Sequence, residues 1–565
     1  MTDLESENQD IESQHSVELK YDDTTTKLGT VEKLYGVDID TKFQEFEKLA
    51  EEHKQNKTLW DRIILDTGIR VTFNNRRYMT YTLAAFASIG GMLSGADQSL
   101  ISGANVSLVD ALKLTSREQS LVSSLVPLGA ICGSLLLSPV NQWIGRRFSI
   151  MIACIAYTIG GILCAAAPSV HELYAGRFFI GIGIGLESII PAFVSECSPK
   201  DIRGNLTSLF QFNIALGEVF GYAIAAMFYE LHNAWRYILG SSLFFSSILF
   251  TAMFFLEESP RYLVSTQGKV GAAYDIWKNL RDMNDLDNKL EFLEMVQAAE
   301  ERKMEDQNKV AKKHMWMEFL TNARARRSLI YANIMIFLGQ FTGVNAVMYY
   351  MSTLMGSIGF DKKRSVFMSL VGGGSLLLGT IPAILYMDKF GRRFWTNFCL
   401  PGFFVGLILL GVSYQVPITA PAAKGLYLSG VILYMGFFGS YSTATWVVPT
   451  EVYPNHLRSY GMTVSSAALY LWSFIITYNF NKMFDKFTPT GLTLGFYGGI
   501  AVLGFIYQIM FVVETRKKTL EEIDDIFSKP TLTLVQLNLK STGRDLSSLA
   551  KGRFREVANG EHILY

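Results

Sequence analysis

Residues 196–203 read ECSPKDIR, and residues 451–458 read EVYPNHLR. Both stretches place a glutamate three residues before a proline and seven residues before an arginine. A second matching pair lies upstream in each half of the chain, because residues 145–147 and residues 391–393 both read GRR. Two motifs repeated in the same order predict a duplicated structural unit, with the two copies arranged as parallel repeats.

Apolar runs surround both copies of these motifs. Each run has about 20 residues, which is enough for a helix to cross a ~30 Å hydrocarbon core. Six predicted spans lie in the first half, at residues 80–103, 119–138, 148–167, 172–195, 207–229 and 235–256. Six more lie in the second half, at residues 328–350, 366–387, 393–413, 425–448, 460–482 and 490–513. The sequence therefore predicts an all-α membrane protein with twelve transmembrane helices in two six-helix bundles.

The composition of the 565-residue chain agrees with a membrane protein. The chain is 49% hydrophobic and only 18% charged, whereas soluble domains carry about 25% charged residues. A formal net charge of zero argues against a nucleic-acid partner. None of the five cysteines forms a C-x-x-C pair, so the sequence indicates neither a disulfide framework nor a zinc site. We expect no metal and no cofactor.

Basic residues set the predicted orientation, because Lys and Arg accumulate in cytoplasmic loops. Both termini and the central polar segment are predicted to be cytoplasmic, whereas residues 362–364 (KKR) are an exception on the outer side. Asn105 begins an outer Asn-Val-Ser triplet and is a candidate glycosylation site. The predicted domains are a largely disordered N-terminal tail (1–78), a first bundle (79–256), a cytoplasmic helical linker (257–327), a second bundle (328–514) and a mobile cytoplasmic C-terminal tail (515–565).

A carboxylate lies inside the first predicted span. Asp97 and Arg177 lie at similar distances from the outer ends of the first and fourth spans, which run antiparallel, so the two side chains can meet. A carboxylate at the bilayer centre costs roughly 2.5–3.5 kcal/mol, and pairing with arginine offsets much of that cost. Since arginine does not deprotonate, Asp97 is the member that can bind a proton and release Arg177. The alternative is a static structural ion pair.

Further motifs occur in order along the chain. They are GRFFIGIGIG at 176–185, EESPR at 257–261, QFTGVN at 340–345 and ETRKKTLEE at 514–522. Together with the repeated motifs they make residues 80–525 resemble the sugar porter branch of the major facilitator superfamily. The stretches GADQSLISG (95–103) and QFNIALGEVFGY (211–222) are most similar to those of inositol and polyol proton symporters.

The resemblance implies a network of charged residues that gates the cytoplasmic mouth of the transporter. Such a network closes the inner mouth while the outer mouth is open, and it breaks when the two bundles rock apart. Its expected members are Arg146, Arg147, Glu196, Arg203, Asp388, Arg392, Arg393, Glu451 and Arg458. The alternative is that the basic members only extend from helix ends to the membrane surface. Gln142 stands where the family pattern has Asp, so the first-half network has one carboxylate fewer.

A polyhydroxylated substrate needs neutral donors and acceptors together with aromatic faces. The resemblance implies that Gln211, Gln340, Asn345 and Trp446 bind the substrate, with Trp472 as a further candidate. Gly339 stands where the family usually has another glutamine, which normally helps to grip a hexose hydroxyl. The alternative for these polar residues is hydrogen bonding between spans.

Two more carboxylates lie within predicted spans, Glu187 in the fourth and Glu218 in the fifth. They are candidates for binding polyol hydroxyls, for stabilising a cation or for joining the proton path. The alternative is a protonated carboxyl that bonds to a neighbouring helix.

The sequence as a whole predicts a proton-coupled symporter that imports a sugar or polyol, similar to myo-inositol, by alternating access. Its expected partners are the substrate, H+ and the lipid bilayer, and it is expected to be monomeric. The plasma membrane is the predicted location, with a vacuolar or other internal membrane as the alternative. A facilitative hexose carrier and a non-transporting nutrient sensor remain alternative functions. The chain lacks a P-loop, a nucleophile elbow and a metal cluster, so an enzyme is not predicted.

Overall fold

The structure is a computed structural model that describes residues 39–57, 76–199, 202–308, 315–454, 457–515, 526–527 and 529–553. In these ranges every regular element is a helix. A dry bilayer interior favours this outcome, because a helix satisfies its own backbone hydrogen bonds.

Six helical units of the first half cross the membrane and are called spans 1 to 6 in chain order. They are Arg76–Leu112, Ser116–Ile144, Arg146–Ala166, Val170–Glu187 with Ile190–Cys197, Arg203–Phe228, and Ala234–Gly240 with Ser242–Phe255. Spans 7 to 12 follow in the second half. They are Ala323–Phe341 with Val344–Ser357, Lys362–Phe390, Arg392–Ser413, Pro421–Val452, Arg458–Phe487, and Gly491–Tyr497 with Gly498–Phe511. The predicted twelve-helix architecture is confirmed.

Ten of these units are apolar enough to be recognised as membrane spans from hydropathy alone, within the described ranges. The two others, spans 1 and 11, are long enough but more polar. Span 1 buries Ser99, Ser102 and Asn105 at 0–1% exposure, so its polar side chains face neighbouring helices and avoid lipid. Such a span is stable inside a bundle although its average hydropathy is low.

Shorter helices cover the side of the first bundle that is predicted to be cytoplasmic, called the cytoplasmic side below. The linker contains Pro260–Tyr262, a π-helical turn at Leu263–Gln267, Val270–Leu280, Leu286–Asn308 and Met315–Thr321. Arg281 connects this linker to two spans. Its guanidinium donates to the carbonyl of Cys197 at 2.8 Å and to the hydroxyl of Thr80 at 3.2 Å. The linker is therefore tied to the cytoplasmic ends of spans 1 and 4.

The N-terminal tail contains a helix, Ile39–Gln55, so the expectation of disorder was wrong for this stretch. Phe43 and Phe46 lie three residues apart on one face and are buried. Their rings pack 5.8 Å from Tyr274 and 5.3 Å from Phe292 of the linker. Burial of these aromatic rings outweighs the charged composition of the segment. The remainder of the predicted disorder, residues 1–38 and 58–75, lies outside the described residues.

The C-terminal tail also contains a helix, Thr531–Ala550, called the C-terminal helix below. It was expected to be part of a mobile tail, and this expectation was wrong. Leu534 and Asn538 are buried on its inner face, and the side-chain amide of Asn538 donates to the carbonyl of Met510 at 3.0 Å. Arg393 donates to the carbonyl of Asn538 and to the hydroxyl of Thr542, each at 2.7 Å. The helix is thus fixed to the cytoplasmic ends of spans 9 and 12.

The glycine ladder of span 4 allows the closest approach between spans. Gly181 and Gly185 face Gly129 and Gly133 of span 2, and a Cβ on any of the four would overlap backbone of the other span. Small residues let transmembrane helices pack backbone against backbone, which strengthens dispersion contacts where no hydrophobic driving force acts.

We expect Gly181→Ala to lower the free energy of unfolding by about 1–3 kcal/mol, because the added methyl must displace the backbone of span 2. Gly374→Ala in span 8 is the matched control, since a Cβ there has open space. Alanine at that site should be neutral or should stabilise the helix by up to about 1 kcal/mol. Thermal unfolding of the purified proteins in detergent compares the two variants, and equal effects would contradict the role of close packing.

Candidate functional site

Asp97 and Arg177 form a buried ion pair in the outer half of the first bundle. The guanidinium donates two hydrogen bonds to the carboxylate, with N–O distances of 2.5 and 3.1 Å. The side chains of Arg177 and Asp97 are 0% and 3% exposed. Nε of Arg177 also donates to the carbonyl of Val122 at 3.1 Å. The pair therefore joins spans 1, 2 and 4, and the contact expected from the matching depth of the two residues is present.

Close packing holds the backbone around Asp97 in place. Gly91 and Gly95 bring span 1 against the backbone of span 5, where a Cβ would overlap the carbonyl oxygens of Phe210 and Ile214. The hydroxyl of Tyr157 in span 3 donates to the carbonyl of Leu93 at 3.2 Å. This packing fixes the depth of span 1, so the carboxylate of Asp97 stays level with Arg177.

Two spans are interrupted near the candidate substrate residues. Span 7 breaks at Thr342 and Gly343, where Gly343 has φ +89°. The hydroxyl of Tyr434 donates to the freed carbonyl of Thr342 at 2.7 Å. Span 4 breaks between Glu187 and Ile190. Discontinuous spans expose backbone groups inside the membrane, and transporters use such breaks to build substrate sites.

The predicted substrate-binding amides lie between the two bundles. Asn345 follows the break in span 7, and its amide donates to the side-chain oxygen of Gln340 and to the hydroxyl of Ser473 in span 11, the latter at 2.9 Å. Gln211 in span 5 donates to the hydroxyl of Ser442 in span 10 at 2.9 Å. Its amide oxygen is buried without a hydrogen-bond partner among the described residues. Gln211 therefore keeps an acceptor that a ligand can use.

Aromatic side chains surround these amides. The indole of Trp472 lies 5.3 Å from the ring of Phe337 and 5.6 Å from that of Phe341. Its N–H is buried and unpartnered within the part of the chain described here, so it remains available to a ligand. The side chain of Trp446, the other aromatic candidate, lies outside the described residues.

The two additional carboxylates are both deeply buried. Glu187 ends the first segment of span 4, is 1% exposed, and has no hydrogen-bond partner for either oxygen within the described ranges. Bonding to a neighbouring helix, the alternative considered for it, is therefore not observed. Glu218 is 2% exposed and lies one turn before Tyr222, whose hydroxyl donates to the carbonyl of Met348 in span 7 at 2.9 Å.

Gly339 is explained by a tyrosine that fills its missing volume. A Cβ at Gly339 would lie 3.2 Å from the ring of Tyr441 in span 10. Tyr441 is fully buried, and its hydroxyl accepts a hydrogen bond from Gln508 at 3.0 Å. A side chain at position 339 would press on this ring. The site lacks the amide that the family pattern has here, and the buried ring of Tyr441 borders the position.

Glu258 is a cytoplasmic residue whose role the sequence did not reveal. Its carboxylate accepts hydrogen bonds from the backbone N–H groups of Ser259 (2.8 Å), Arg146 (3.1 Å) and Arg147 (3.2 Å). Gly145 has φ +102° and leaves space for the carboxylate, which a Cβ would meet. The requirement for a positive φ and for this space explains the glycine of the GRR motif.

The second half repeats this arrangement. Glu514 accepts hydrogen bonds from the backbone N–H groups of Arg392 at 2.9 Å and Arg393 at 3.0 Å, beside Gly391 at φ +97°. The sequence pattern that could have predicted these two capping carboxylates is a glutamate followed by serine or threonine shortly after spans 6 and 12. A carboxylate at the N-terminus of a helix satisfies orphan N–H groups and complements the helix dipole.

The charged side chains of the predicted inner gate make contacts within their own half. Arg146 pairs with Glu196 at 3.1 Å, and the hydroxyl of Ser259 also donates to Glu196. Arg147 donates to the carbonyl of Met253 at 2.7 Å. All of these contacts lie within the first half, so pairing across the inner mouth stays a prediction. The side chains of four members lie outside the described residues: Arg203, Asp388, Glu451 and Arg458.

Ion pairs between the two bundles occur at the outer mouth. Lys362 contacts Asp110, and Lys363 contacts Glu230, each at 2.5 Å. Asn481 of span 11 donates to the hydroxyl of Ser120 at the outer start of span 2 (3.1 Å). These contacts join the first half to the second, so this conformation is closed at the outer side. They also account for the basic cluster at residues 362–364, the exception to the charge distribution.

Asn105 does not present an exposed glycosylation site, and this prediction needs correction. Span 1 continues to Leu112 and so incorporates Asn105 into the helix bundle. The residue is 1% exposed, and its amide donates to the hydroxyl of Ser123 in span 2 at 3.3 Å. An attached glycan requires a surface position, which this side chain lacks in the structure.

Comparison with known protein families identifies the group to which the chain is related. The family model described as "Sugar (and other) transporter" matches residues 42–527. The chain belongs to this family. It is accordingly a multi-pass membrane protein with the major facilitator fold, and its relatives are transporters.

Two curated relatives are myo-inositol transporters. The chain is 55% identical to the myo-inositol transporter FST1 of Gibberella moniliformis over 496 residues, which cover 86% of each protein. It is 28% identical to myo-inositol transporter 1 of Saccharomyces cerevisiae over 529 residues, covering 88% of this chain and 86% of the relative. Among solved structures, the proton:xylose symporter XylE bound to 6-bromo-6-deoxy-D-glucose superposes with a TM-score of 0.69 at 23% identity. This match covers 80% of this chain and all of the other, and it supports the fold.

We expect reversal of the outer ion pairs to shift the protein towards its outward-open conformation. Exposed pairs contribute about 0.2–1 kcal/mol each, so Lys362→Asp should change the conformational equilibrium by a factor of about 1.5–5. The double variant Asp110→Lys with Lys362→Asp restores the attraction and should restore the wild-type equilibrium. Distances between spin labels at the outer ends of spans 2 and 11 measure the change, and a double variant that behaves like the single one would contradict the pairing.

We expect Glu258 to make stability depend on pH. Burial, which outweighs the backbone hydrogen bonds and Arg146, raises the pKa of Glu258 from 4.5 to about 7. The folded protein then binds this proton more tightly than the unfolded chain does. The contribution of Glu258 is therefore complete below about pH 4.5 and declines as pH rises through about 7. Thermal unfolding between pH 5 and 8 should show this slope in the wild type relative to Glu258→Gln, and parallel curves would refute it.

Proposed function

We propose that the protein is a proton-coupled symporter that imports myo-inositol or a closely related polyol by alternating access. The buried Asp97–Arg177 pair is the observation that carries the coupling. The 55% identity to a myo-inositol transporter over most of both chains supports the substrate. The plasma membrane is the proposed location and the monomer the proposed functional unit.

Protonation of Asp97 is the proposed coupling step. In the structure its two oxygens accept from two nitrogens of Arg177, and proton binding removes the charge that holds the guanidinium. Arg177 keeps its bond to the carbonyl of Val122 in span 2. It therefore stays attached to span 2 while its link to span 1 is broken. Because the pair joins spans 1, 2 and 4, a change at one carboxylate alters the packing of three helices.

Substrate hydroxyls are proposed to bind between the bundles at the amides of Gln211 and Asn345. Gln211 offers an oxygen that is unpartnered among the described residues, and Asn345 has its amide N–H groups directed at Gln340 and Ser473. Because one amide belongs to the first bundle and the other to the second, a ligand that bonds to both favours their approach. Differential binding of this kind shifts the equilibrium between conformations.

Glu187 and Glu218 are proposed as further substrate or proton ligands. Glu187 lies at the break of span 4 with both oxygens unpartnered among the described residues, so it can accept hydroxyl groups or carry a proton. Gly339 stands where the family pattern has another glutamine, and the ring of Tyr441 borders this position. We attribute a preference for a cyclic polyol over a hexose to this altered set of ligands.

We expect Asp97→Asn to abolish accumulation against a gradient and substrate-induced proton uptake, while exchange of substrate across the membrane persists. The neutral amide cannot bind and release a proton, yet it retains a similar shape. Asp485→Asn is the matched control, because Asp485 in span 11 is exposed. Uptake of labelled myo-inositol into proteoliposomes at two external pH values measures the effect, and full accumulation by Asp97→Asn would exclude the coupling role.

We expect Gln211→Ala and Asn345→Ala to raise the KM for myo-inositol by about tenfold each, the effect of losing one hydrogen bond of about 1.4 kcal/mol. Asn213→Ala is the control, since that amide donates to the carbonyl of Leu209 in its own helix at 2.9 Å. Glu187→Gln belongs in the same assay: a raised KM with intact proton uptake indicates hydroxyl binding, and lost proton uptake indicates a role in the proton path.

A panel of labelled polyols and hexoses distinguishes the proposed symporter from its alternatives. Uptake that does not respond to external pH would favour a facilitative carrier. Binding without uptake would favour a nutrient sensor. Unchanged KM values in both amide variants, with normal transport, would exclude the assigned pocket.

A further inference from the structure

The C-terminal helix exposes a row of leucines on a face that is turned away from its docked side. Leu532, Leu539 and Leu546 are 76%, 47% and 61% exposed. They recur every seven residues, which places them on one face of a helix. Three large apolar side chains that share one exposed helix face indicate an interaction surface, whereas single exposed leucines do not.

The position of the helix places this row at the level of the cytoplasmic membrane surface. Arg393, the second residue of span 9, holds the helix by its guanidinium, and Asn538 bonds to Met510 near the end of span 12. Arg393 and Met510 lie at the predicted cytoplasmic ends of their spans. The helix therefore packs its inner face against the ends of spans 9 and 12, with its leucines directed away from them.

Charge on the same segment is predominantly positive. Residues 529–553 contain five basic residues and one acidic residue, a formal excess of four positive charges; the basic ones are Lys529, Lys540, Arg544, Lys551 and Arg553. Lys540 and Arg544 are exposed and lie about 100° and 140° around the helix from Leu539, on the same side of the row. The cytoplasmic leaflet carries anionic lipids that attract such clusters by about 1 kcal/mol per basic residue.

We propose that the C-terminal helix binds the cytoplasmic leaflet, with its leucine row among the upper acyl chains and Lys540 and Arg544 on anionic lipid headgroups. This arrangement matches interfacial amphipathic helices, whose apolar face enters the headgroup–acyl boundary beside a basic flank. It removes the leucines from water without any protein partner. It also makes the position of Arg393 sensitive to lipid composition, and it does not depend on the identity of the transported substrate.

A fluorescent label at position 539 tests the proposal in the full-length protein. Leu539→Cys is introduced with Cys132→Ser, because Cys132 is exposed whereas the other four cysteines are buried. The label is an environment-sensitive NBD group, and the protein is placed in nanodiscs of phosphatidylcholine alone or mixed with phosphatidylserine. Thr533→Cys is the control, since Thr533 is exposed and lies about 120° from the leucine row, on the basic flank that the arrangement places at the headgroups and not among the acyl chains.

We expect lipids with brominated acyl chains to quench the label at 539 and to quench the label at 533 less. Phosphatidylserine should strengthen quenching at 539, and Lys540→Glu with Arg544→Glu should abolish that increase.

Aqueous iodide that quenches both labels equally, with no effect of bromination, would overturn the proposal. Cross-linking of two copies through the thiol introduced at position 539, without quenching by brominated lipid, would also overturn it, in favour of a self-association surface. All variants change exposed side chains, and thermal unfolding verifies that they fold.

Discussion

A charge cannot remain unpaired in the hydrocarbon interior, and the Asp97–Arg177 pair is where this constraint organises the first bundle. The two side chains are almost fully buried, so each stabilises the other only while spans 1 and 4 stay at matching depth. The glycines that let spans 1 and 5, and spans 2 and 4, touch backbone to backbone maintain that depth. The same constraint applies where a span is interrupted. Each backbone group freed by the break needs a hydrogen-bond partner, such as the hydroxyl of Tyr434 at the break in span 7.

The cytoplasmic motifs are better understood as capping devices than as isolated charges. In each half a carboxylate from the end of the last span, Glu258 or Glu514, accepts backbone N–H groups at the start of the third span of that half. This contact closes each six-helix unit upon itself and leaves the arginine side chains for other partners. Both halves therefore contain the same internal contact between a carboxylate and a helix N-terminus. Because this contact lies within one half, it does not hinder the movement of the halves as separate bodies.

Much of the fold and part of the candidate site could be predicted from the sequence. Features set by the local sequence were predictable, whereas features set by contacts with distant segments were not. Span positions and the meeting of Asp97 with Arg177 depend on helix length and membrane thickness, which local sequence reports. Asn105 was misjudged because the span continues beyond its apolar part, and burial by span 2 is a tertiary property. The N-terminal helix was missed because Phe43 and Phe46 are few among many charges, and their partners Tyr274 and Phe292 lie in the distant linker. The significance of Gly339 depends on Tyr441 in a distant span, and no local pattern reports that contact.

The exposed ion pairs at the outer mouth have a consequence that lies outside the protein. Lys362–Asp110 and Lys363–Glu230 are all more than half exposed, so the surrounding medium screens them directly. The screening length falls from ~30 Å in 0.01 M salt to ~10 Å in 0.1 M salt. At the proposed plasma-membrane location, cells in fresh water and cells in brine would therefore hold the same polypeptide at different conformational equilibria, with no change in sequence or expression. External salt would then act as an effector of the closed state.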